Sequence, residues 1–512
     1  MRTGILESAG KVLLRAVVGL VVSGLYACGS SSAPSPAADT APIPVAQKLS
    51  QTGRWFTDEQ GRVVVIHGTN MINKLPPYYP AALGFGDKDL GFLAKNGFNG
   101  IRLGFIWAGV EPQPGQYDDA YIDRMAALAA QVESYGLLPL MNFHQDGYSA
   151  VYGGEGAPAW ASLSDGVPGS PLPPPANVLP GASIANENFW MNAKGPDGIG
   201  LQDHFAAAWQ HVAQRLHADS RIIYELYNEP SPGYVDLALC AQPLGCPEFD
   251  AGILAPFYKK LLQPIRQIDA TRLIMVEPNA FFDLGMNTWL PSLDDPQVGF
   301  AFHDYCVLGS LGIPLPSGLP IPSIPCDQLI AIPLSDAQAH FNSTGEANLM
   351  NELGAGDTDD DDASLLDQSD QQMLSWMHWA YWAQDFGKPS TYGLVNDPAK
   401  EPAGDNLKQN LLTVLSRPSP RLIAGTPQNW SWDPAASTFK AAYSTARADG
   451  GGSFPAGTVS SFFIHPRFFP KGYQVQVTGG TVVSAANATW LQVAGLAGAG
   501  SVALTVTPIA VH

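Results

Sequence analysis

The chain has 512 residues and a formal net charge of −19 at pH 7; 14% of its residues are charged and 10% are aromatic. So acidic a chain repels phosphate, which argues against nucleic acid as a partner, whereas few charges and many aromatic side chains suit contact with sugars or lipids. The length exceeds what one ordinary domain needs and predicts two domains.

The first 28 residues have the pattern of an export signal. Arg2, Lys11 and Arg15 precede the apolar run 16–25, which is too short for a membrane-spanning helix. The "LYAC" that follows resembles a bacterial lipoprotein signal, in which Cys28 receives the lipid.

Residues 29–50 are rich in Ser, Ala and Pro in their first half and are interpreted as a flexible tether. Plain secretion, with cleavage near Ala27, is the alternative to lipidation. In both cases we expect an exported protein, either a lipoprotein of the cell envelope or a secreted protein.

Four cysteines remain once the lipidation site is set aside, and in an exported protein they predict two disulfides. Pairing of Cys240 with Cys246 and of Cys306 with Cys326 is the simplest of the three connectivities. No CxxC or HxxxH spacing occurs in the sequence, so we predict no metal site, and we predict no cofactor.

Eight short apolar runs alternate with longer amphipathic stretches in the first 415 residues. The runs are 63–70, 100–107, 137–144, 222–229, 273–279, 298–305, 347–353 and 373–382, and the stretches between them include 120–135, 203–217, 256–268 and 363–373. Eight strand–helix units predict a (β/α)8 TIM barrel of the α/β class, to which we assign residues 51–415.

Seven of the eight runs end in polar side chains, and in such a barrel the C-terminal strand ends line the active site. Glu229 ends the fourth run and Glu352 ends the seventh, which places two carboxyl groups across one mouth. Glycoside hydrolysis needs such a pair, with one carboxyl protonated to donate to the leaving oxygen and the other ionised to attack. Their surroundings must therefore push their pKa values apart.

Two long loops on the predicted active face are apolar and rich in proline. They are "SPLPPPANVLPG" (170–181), before the fourth strand, and "SLGIPLPSGLPIPSIPC" (310–326), after the sixth. Loops of this length usually shape a cleft, and their composition predicts contact with an apolar ligand.

After about residue 415 the pattern changes to short runs of period two without a helical pattern, such as "TVSSFFIHP" and "SVALTVTPIAV". Residues 416–512 are therefore predicted to form a small C-terminal β-sandwich.

Six motifs resemble glycoside hydrolase family 5. They are "GIRLGFIWAGVEP" (100–112), "NFH" (142–144), "YNEP" (227–230), "FHDY" (302–305), "MNELGA" (350–355) and "WMHWAYW" (376–382). The resemblance implies a retaining glycosidase in which Glu229 is the acid/base and Glu352 the nucleophile. The partners it implies for them are Arg102, His144, Asn228, His303 and Tyr305.

Two of these implied roles are more specific. Tyr305 is expected to hydrogen-bond the Glu352 carboxyl. Trp379 is expected to be the platform for a sugar ring, with Trp382 as the alternative, because the sequence does not tell which face of the last strand points into the barrel.

Further stretches resemble the endoglycoceramidase-like branch of the family. They are "NKLPPYYP" (73–80), "HQDGYS" (144–149), "NFWMN" (188–192), "GLQDHFAAAW" (200–209) and "ELGAGD" (352–357). This resemblance implies that Lys74, Asp146 and Trp190 contact the sugar next to the scissile bond. It also implies cleavage between the sugar and the ceramide of a glycosphingolipid.

The expected partner is thus a glycolipid at a membrane or micelle surface, and we expect a monomer. Alternatives on the same barrel are a glucanase or mannanase acting on polysaccharide, a simple glycosylceramidase and a steryl glucosidase. A sugar-binding protein with an inactive barrel is the alternative from another class, and the intact pair Glu229 and Glu352 argues against it.

The acidic run "DTDDDDAS" (357–364) allows two interpretations. It is either a calcium-binding loop or an acidic start to the next helix, and the second is favoured because carboxylates stabilise helix N-termini.

Overall fold

Eight parallel strands close into a barrel, and each predicted run contributes one of them. In chain order they are β4 (His67–Met71), β5 (Gly100–Phe105), β6 (Leu138–Phe143), β7 (Ile223–Glu225), β8 (Ile274–Val276), β9 (Val298–Tyr305), β10 (Asn348–Gly354) and β11 (Ser375–Trp382). Because the strands are parallel, their polar C-terminal ends meet at one mouth.

The computed structural model describes residues 47–167, 180–233, 240, 245–306, 325–354, 359–385, 388–389 and 392–509. The export signal, Cys28 and most of the tether lie outside these residues, as do most of the two proline-rich loops. Residues 41–512 form one compact unit. No helix among the described residues combines the length and the apolar character that crossing a membrane requires.

The helices surround the barrel and mostly follow the amphipathic pattern. The α-helical segments are Asp87–Lys95, Trp107–Val110, Asp119–Ser134, Pro180–Trp190, Leu201–Leu216, Pro247–Phe249, Ala255–Ile268, Cys326–Leu329, Ala331–Thr344, Asp359–Gln372 and Gln409–Leu415. In Asp119–Ser134, Ile122, Met125 and Ala129 recur at helical spacing on the buried face. The Asp118 side chain accepts a hydrogen bond from the Tyr121 N–H (2.9 Å) and begins this helix.

The C-terminal residues form two antiparallel sheets that share an apolar core. One sheet orders β15 (Thr426–Asp433), β16 (Thr438–Ser444), β21 (Ser501–Pro508) and β18 (Tyr473–Thr478). The other contains β14 (Ser419–Ile423), β17 (Val459–Phe463), β20 (Trp490–Gly495) and β19 (Gly480–Val482). The period-two pattern puts Val502, Leu504 and Val506 into the core between the sheets, as a β-sandwich requires.

Three strands that precede the barrel in the chain complete the second sheet. The predicted boundaries, 51–415 for the barrel and 416–512 for the sandwich, did not assign these strands to the sandwich. They are β1 (Ser50–Thr52), β2 (Trp55–Thr57) and β3 (Val63–Val64), and β3 pairs with β14 through Val64 and Leu422. Runs this short carry no readable alternation, so the sequence offered no sign that they belong to the sandwich. A separate two-stranded sheet joins β12 (Gln384–Asp385) to β13 (Lys388–Pro389).

The two disulfides are the local pairs that the sequence favoured. Cys240 is bonded to Cys246, and Cys306 is bonded to Cys326. The second bridge joins the residue after β9 to the first residue of the helix Cys326–Leu329, and therefore holds the two ends of the second proline-rich loop together.

Candidate active site

Glu229 and Glu352 meet at the mouth of the barrel. Glu352 lies within β10, whereas Glu229 follows the short strand β7. One carboxylate oxygen of each lies within 4.8 Å of one of the other. Retaining glycosidases hold their two carboxyl groups about 5–5.5 Å apart, and inverting ones about 6.5–9.5 Å apart, so this close approach of two oxygen atoms favours the retaining arrangement.

The Glu229 backbone lies in the left-handed region, with φ 44°. A residue before proline normally avoids this region, so other contacts must hold it there. Its N–H donates to Glu277 Oε2 (2.7 Å), and its carbonyl oxygen accepts from Gln145 Nε2 (3.0 Å). The conformation turns the carboxyl group toward the mouth, where the side chain is 21% exposed.

The Glu352 carboxyl is buried among groups that favour its charged form. It accepts hydrogen bonds from the Arg102 guanidinium and from the Tyr305 hydroxyl, which is the contact expected of Tyr305. Burial raises the pKa of Glu352, with a further contribution from Glu229. The charges of His303 and Arg102 and the Tyr305 hydrogen bond act in the opposite direction and favour the carboxylate that nucleophilic attack needs.

Arg102 joins the strand ends beneath the pair. Its side chain is fully buried, and Nη2 donates to Asn228 Oδ1 (2.6 Å) while Nε donates to Glu225 Oε2 (2.9 Å). The Asn228 Nδ2 in turn donates to the Gln145 carbonyl oxygen (2.9 Å). Arg102 and Asn228 thus hold the segments that carry the two catalytic carboxyl groups.

His303 links the acid/base to the buried carboxyl groups. Its Nδ1 lies 2.9 Å from Glu229 Oε1, and its Nε2 lies 3.1 Å from Glu277 Oε1. Burial opposes a charge on this ring, but Glu277, Glu352 and the other carboxyls outweigh it and raise the pKa of His303 well above its usual value. The ring is therefore an imidazolium that donates on both sides.

A second group of polar side chains lies on another side of the mouth. Lys74 Nζ bonds the Asp146 carboxylate, lies 3.7 Å from Glu155 Oε1, and lies 4.7 Å from the centre of the Trp379 ring. The His144 ring stacks on Trp379 with 5.5 Å between centroids. Burial, with the charges of Lys74 and Arg102, holds the pKa of His144 well below its usual value, so this ring is neutral.

These groups border one cavity of about 230 Å³. It is lined by Lys74, Asp146, Glu229, Tyr305, Glu352, Trp379 and Tyr392. An indole face, a lysine and carboxylates around one cavity are suited to a sugar ring, because sugars offer both apolar C–H faces and hydroxyl groups.

Two tryptophans expected in the site lie elsewhere. Trp190 is 6% exposed and packs among Phe249 and Phe257, while its Nε1 donates to the Ser231 carbonyl oxygen (2.8 Å). Trp382, the last residue of β11, packs in the main apolar core, whereas Trp379 lines the cavity. Two residues three apart on a strand point to opposite faces, so only one of the pair can line the cavity.

Several residues of the site escaped sequence reasoning. They are Glu155, Glu225, Asp283 and Tyr392, together with Glu277, whose only signal in the sequence is its place at the polar end of the fifth run. Glu225 had a signal, because a carboxylate inside an apolar strand needs a buried partner. Burial raises the pKa of Glu225 to about 7 against the charge of Arg102.

Within the part of the chain that the structure describes, two sets of side chains could offer three donor atoms to a cation: His144, Asp146 and Glu155, and Glu229, His303 and Glu352. Each set already contacts a fixed positive charge, from Lys74 or from Arg102, which disfavours a metal ion. Asp359 to Asp362 begin the helix Asp359–Gln372, as an acidic helix start would, whereas residues 357 and 358 lie outside the described residues and the calcium interpretation stays open.

Both domains match known families. Residues 58–385 match the family described as Cellulase (glycosyl hydrolase family 5), and residues 417–506 match the glycoside hydrolase family 5 C-terminal domain.

Similar proteins agree with these matches. Endoglycoceramidase I of Rhodococcus hoagii (strain 103S) is 30% identical over 86% of this chain and 84% of its own length. The endoglycoceramidase of Hydra vulgaris is 25% identical over 82% and 81%. The lactosyl-enzyme intermediate of endo-glycoceramidase II from Rhodococcus sp. has a TM-score of 0.71 at 26% identity, covering 89% of this chain and 99% of that chain. The chain therefore belongs to glycoside hydrolase family 5 and is a retaining glycosidase.

Proposed function

We propose that this protein hydrolyses the β-glycosidic bond between the sugar headgroup and the ceramide of a glycosphingolipid, with Glu229 as acid/base and Glu352 as nucleophile. The observation that carries the proposal is the single cavity that holds both carboxyl groups beside Lys74, Asp146 and Trp379. The relatives named endoglycoceramidase support the choice of substrate.

In the first step, Glu352 attacks the anomeric carbon while Glu229 gives its proton to the oxygen of the departing ceramide. The C–O bond to ceramide breaks as the bond to Glu352 forms, which leaves a glycosyl-enzyme ester and free ceramide. His303 donates to Glu229 at 2.9 Å and holds the acid in place for this transfer.

In the second step, a water molecule replaces ceramide beside the ester. Glu229, now ionised, removes a proton from the water while the water oxygen bonds to the anomeric carbon. The bond from that carbon to Glu352 breaks, and Glu352 leaves as a carboxylate. Two inversions restore the β configuration. Arg102 and Tyr305 stabilise the carboxylate that is released.

The headgroup side of the cavity is the charged side. Lys74 and Asp146 are placed to bond sugar hydroxyls, and the Trp379 face is placed to cover the apolar face of the ring. Charge-assisted hydrogen bonds fix orientation more strongly than neutral ones, so this side positions the anomeric carbon over Glu352.

The ceramide side is proposed to begin at the segment after β8. Asp283 Oδ2 lies 3.7 Å from His303 Nδ1, which places this segment next to the acid/base. The apolar residues Leu284 and Trp289 follow it, 36% and 50% exposed, and Ile332 on the helix Ala331–Thr344 is 41% exposed. A methyl group on Gly285 would come within 3.1 Å of Ile332, so the two segments adjoin.

Burial of alkyl chains contributes about 0.8 kcal/mol per methylene, whereas one hydrogen bond to sugar contributes about 0.5–1.5 kcal/mol net. A few buried methylenes therefore outweigh a sugar contact, and this remote binding energy can lower the barrier at the anomeric carbon. The loops 170–181 and 310–326 are also predicted to contribute to this apolar surface, and that contribution stays a prediction.

The substrate is tested by comparing one headgroup on ceramide with the same headgroup on a short, soluble, unactivated alkyl aglycone. We expect a higher kcat/KM on ceramide. Equal values, or turnover of a glucan or mannan without turnover of the glycosphingolipid, would contradict the proposal in favour of the polysaccharide alternative.

The apolar surface has its own test in the double variant Trp289→Ser with Ile332→Ser. Contact of each apolar side chain with the alkyl chains contributes more than about 1 kcal/mol to binding. Loss of both contacts should therefore lower kcat/KM on glycosphingolipid in micelles at least about tenfold. Turnover of the soluble glycoside should not change. The matched control is Val483→Ser with Leu496→Ser in the sandwich, where the side chains are 49% and 50% exposed. An equal loss in both double variants would refute a specific lipid surface.

Export is part of the proposal. The charged residues and apolar run of the first 28 residues support a lipoprotein anchored through Cys28, or a protein secreted after cleavage near Ala27. Two disulfides fit an oxidising compartment, and we propose that the enzyme acts as a monomer at a membrane or micelle surface.

A further inference from the structure

Asp283 is a largely buried carboxyl beside the catalytic pair that neither step of the reaction uses. It lies in the 3-10 helix Ala280–Leu284 after β8, and its side chain is 12% exposed. Its Oδ2 lies 3.7 Å from the Nδ1 of His303, the same nitrogen that lies 2.9 Å from Glu229 Oε1. Two carboxyl groups therefore face one N–H, and Asp283 is outside the lining of the cavity.

We propose that Asp283 is a positioning residue that keeps the His303 ring directed at Glu229. This inference rests on the proposed role of Glu229 as acid/base. It assigns to Asp283 no contact with substrate, and its effect should appear only in the step where Glu229 gives up a proton.

The charges around His303 support an uncharged Asp283. The carboxyls facing the ring are Glu229 after β7, Glu277 and Asp283 after β8, and Glu352 on β10. The cations are His303 itself and Arg102 on β5, which also bonds Glu225. Two cations can balance only two of these five carboxyl groups in the charged form, and a buried excess of negative charge is costly.

The two ionised carboxyls can be identified. Glu352 must be ionised to attack. Glu277 is the second. Burial disfavours the charge of Glu277, but His303 and Arg102 outweigh this effect and hold the pKa of Glu277 below its usual range. Burial, reinforced by the neighbouring glutamates, raises the pKa of Asp283 well above its usual value.

A neutral Asp283 has a geometric consequence. An ionised Asp283 would compete with Glu229 for the Nδ1–H of the imidazolium, whereas the neutral acid occupies that side of the ring without attracting its proton. The ring therefore keeps its hydrogen bond to Glu229. Removal of the side chain would leave space into which the ring could tilt away from the acid.

The test compares Asp283→Asn and Asp283→Ala on two substrates: the glycosphingolipid, whose leaving group needs protonation, and an aryl glycoside of the same headgroup with a good leaving group. Asparagine keeps the shape without a charge, so Asp283→Asn should retain activity on both. Asp283→Ala should lose about tenfold in kcat on the glycosphingolipid, a part of the 10²–10⁴ that acid catalysis supplies, and little in the pre-steady-state rate of aryl release, since that step needs little protonation by Glu229.

Asp304 provides the matched control. It is a fully buried carboxyl next to His303 on β9. Neither of its oxygens has a hydrogen-bond partner within the described part of the chain. Asp304→Ala should change the rates on both substrates by the same factor. Three results would overturn the proposal: an equal loss on both substrates for Asp283→Ala, an Asp283→Asn variant as impaired as Asp283→Ala, or no effect of either. A Glu229→Ala variant assayed alongside shows separately whether Glu229 is the acid.

Discussion

Glu352→Gln is expected to abolish turnover of every glycoside, activated or natural. An amide cannot form the glycosyl ester, and loss of a covalent nucleophile costs on the order of 10⁶ in kcat. The measurement is kcat on a glycosphingolipid and on an aryl glycoside with a good leaving group, both of which should fall to the limit of detection.

The fold should survive this change. Glutamine has the shape of glutamate, and its amide oxygen can still accept the hydrogen bond that Arg102 donates to Glu352. The thermal unfolding midpoint is the control, and it should remain near that of the wild type. Substantial residual activity in a folded Glu352→Gln variant would show that another group attacks the sugar.

Glu229→Ala is expected to separate substrates by their leaving groups. A ceramide alkoxide needs a proton as it leaves, so turnover of the glycosphingolipid should fall by about 10²–10⁴. Formation of the glycosyl-enzyme from an aryl glycoside with a good leaving group should remain near the wild-type rate, because that leaving group needs little protonation.

The measurement is pre-steady-state release of the aryl group. Glu229 is also the base that activates water, so the variant should show a rapid burst followed by slow turnover. Equal losses on both substrates in the first step, or the lack of a burst, would contradict the assignment of Glu229. Glu352→Gln is the matched control and should give no burst.

The barrel and its catalytic pair could be predicted because their signals are local. Each strand is an apolar run of the right length, and Glu229 and Glu352 stand at the C-terminal ends of the fourth and seventh runs. In a closed parallel barrel those ends must share one mouth, so two separate local patterns were enough to bring the carboxyl groups together.

The identity of the sugar platform could not be predicted in the same way. Trp379 and Trp382 lie on one strand, and which of them faces the cavity depends on how β11 pairs with β4. That pairing shifts register between His378 and Trp382, an irregularity that no pattern within β11 records.

The network around the pair was also beyond sequence reasoning. Glu225, Glu277 and Asp283 lie in or after two neighbouring strands, and each has its role only through Arg102 or His303 from other strands. A carboxylate in an apolar run signals that a partner exists but does not name it, because the partner is distant along the chain.

Retention at the anomeric carbon can be observed by proton NMR of the first sugar released from a β-linked glycosphingolipid. We expect the intact headgroup to appear first as its β anomer, together with intact ceramide, before mutarotation produces the α anomer. First appearance of the α anomer would establish inversion and contradict the roles of Glu229 and Glu352. Release of single sugars from the outer end of the headgroup would contradict cleavage at ceramide.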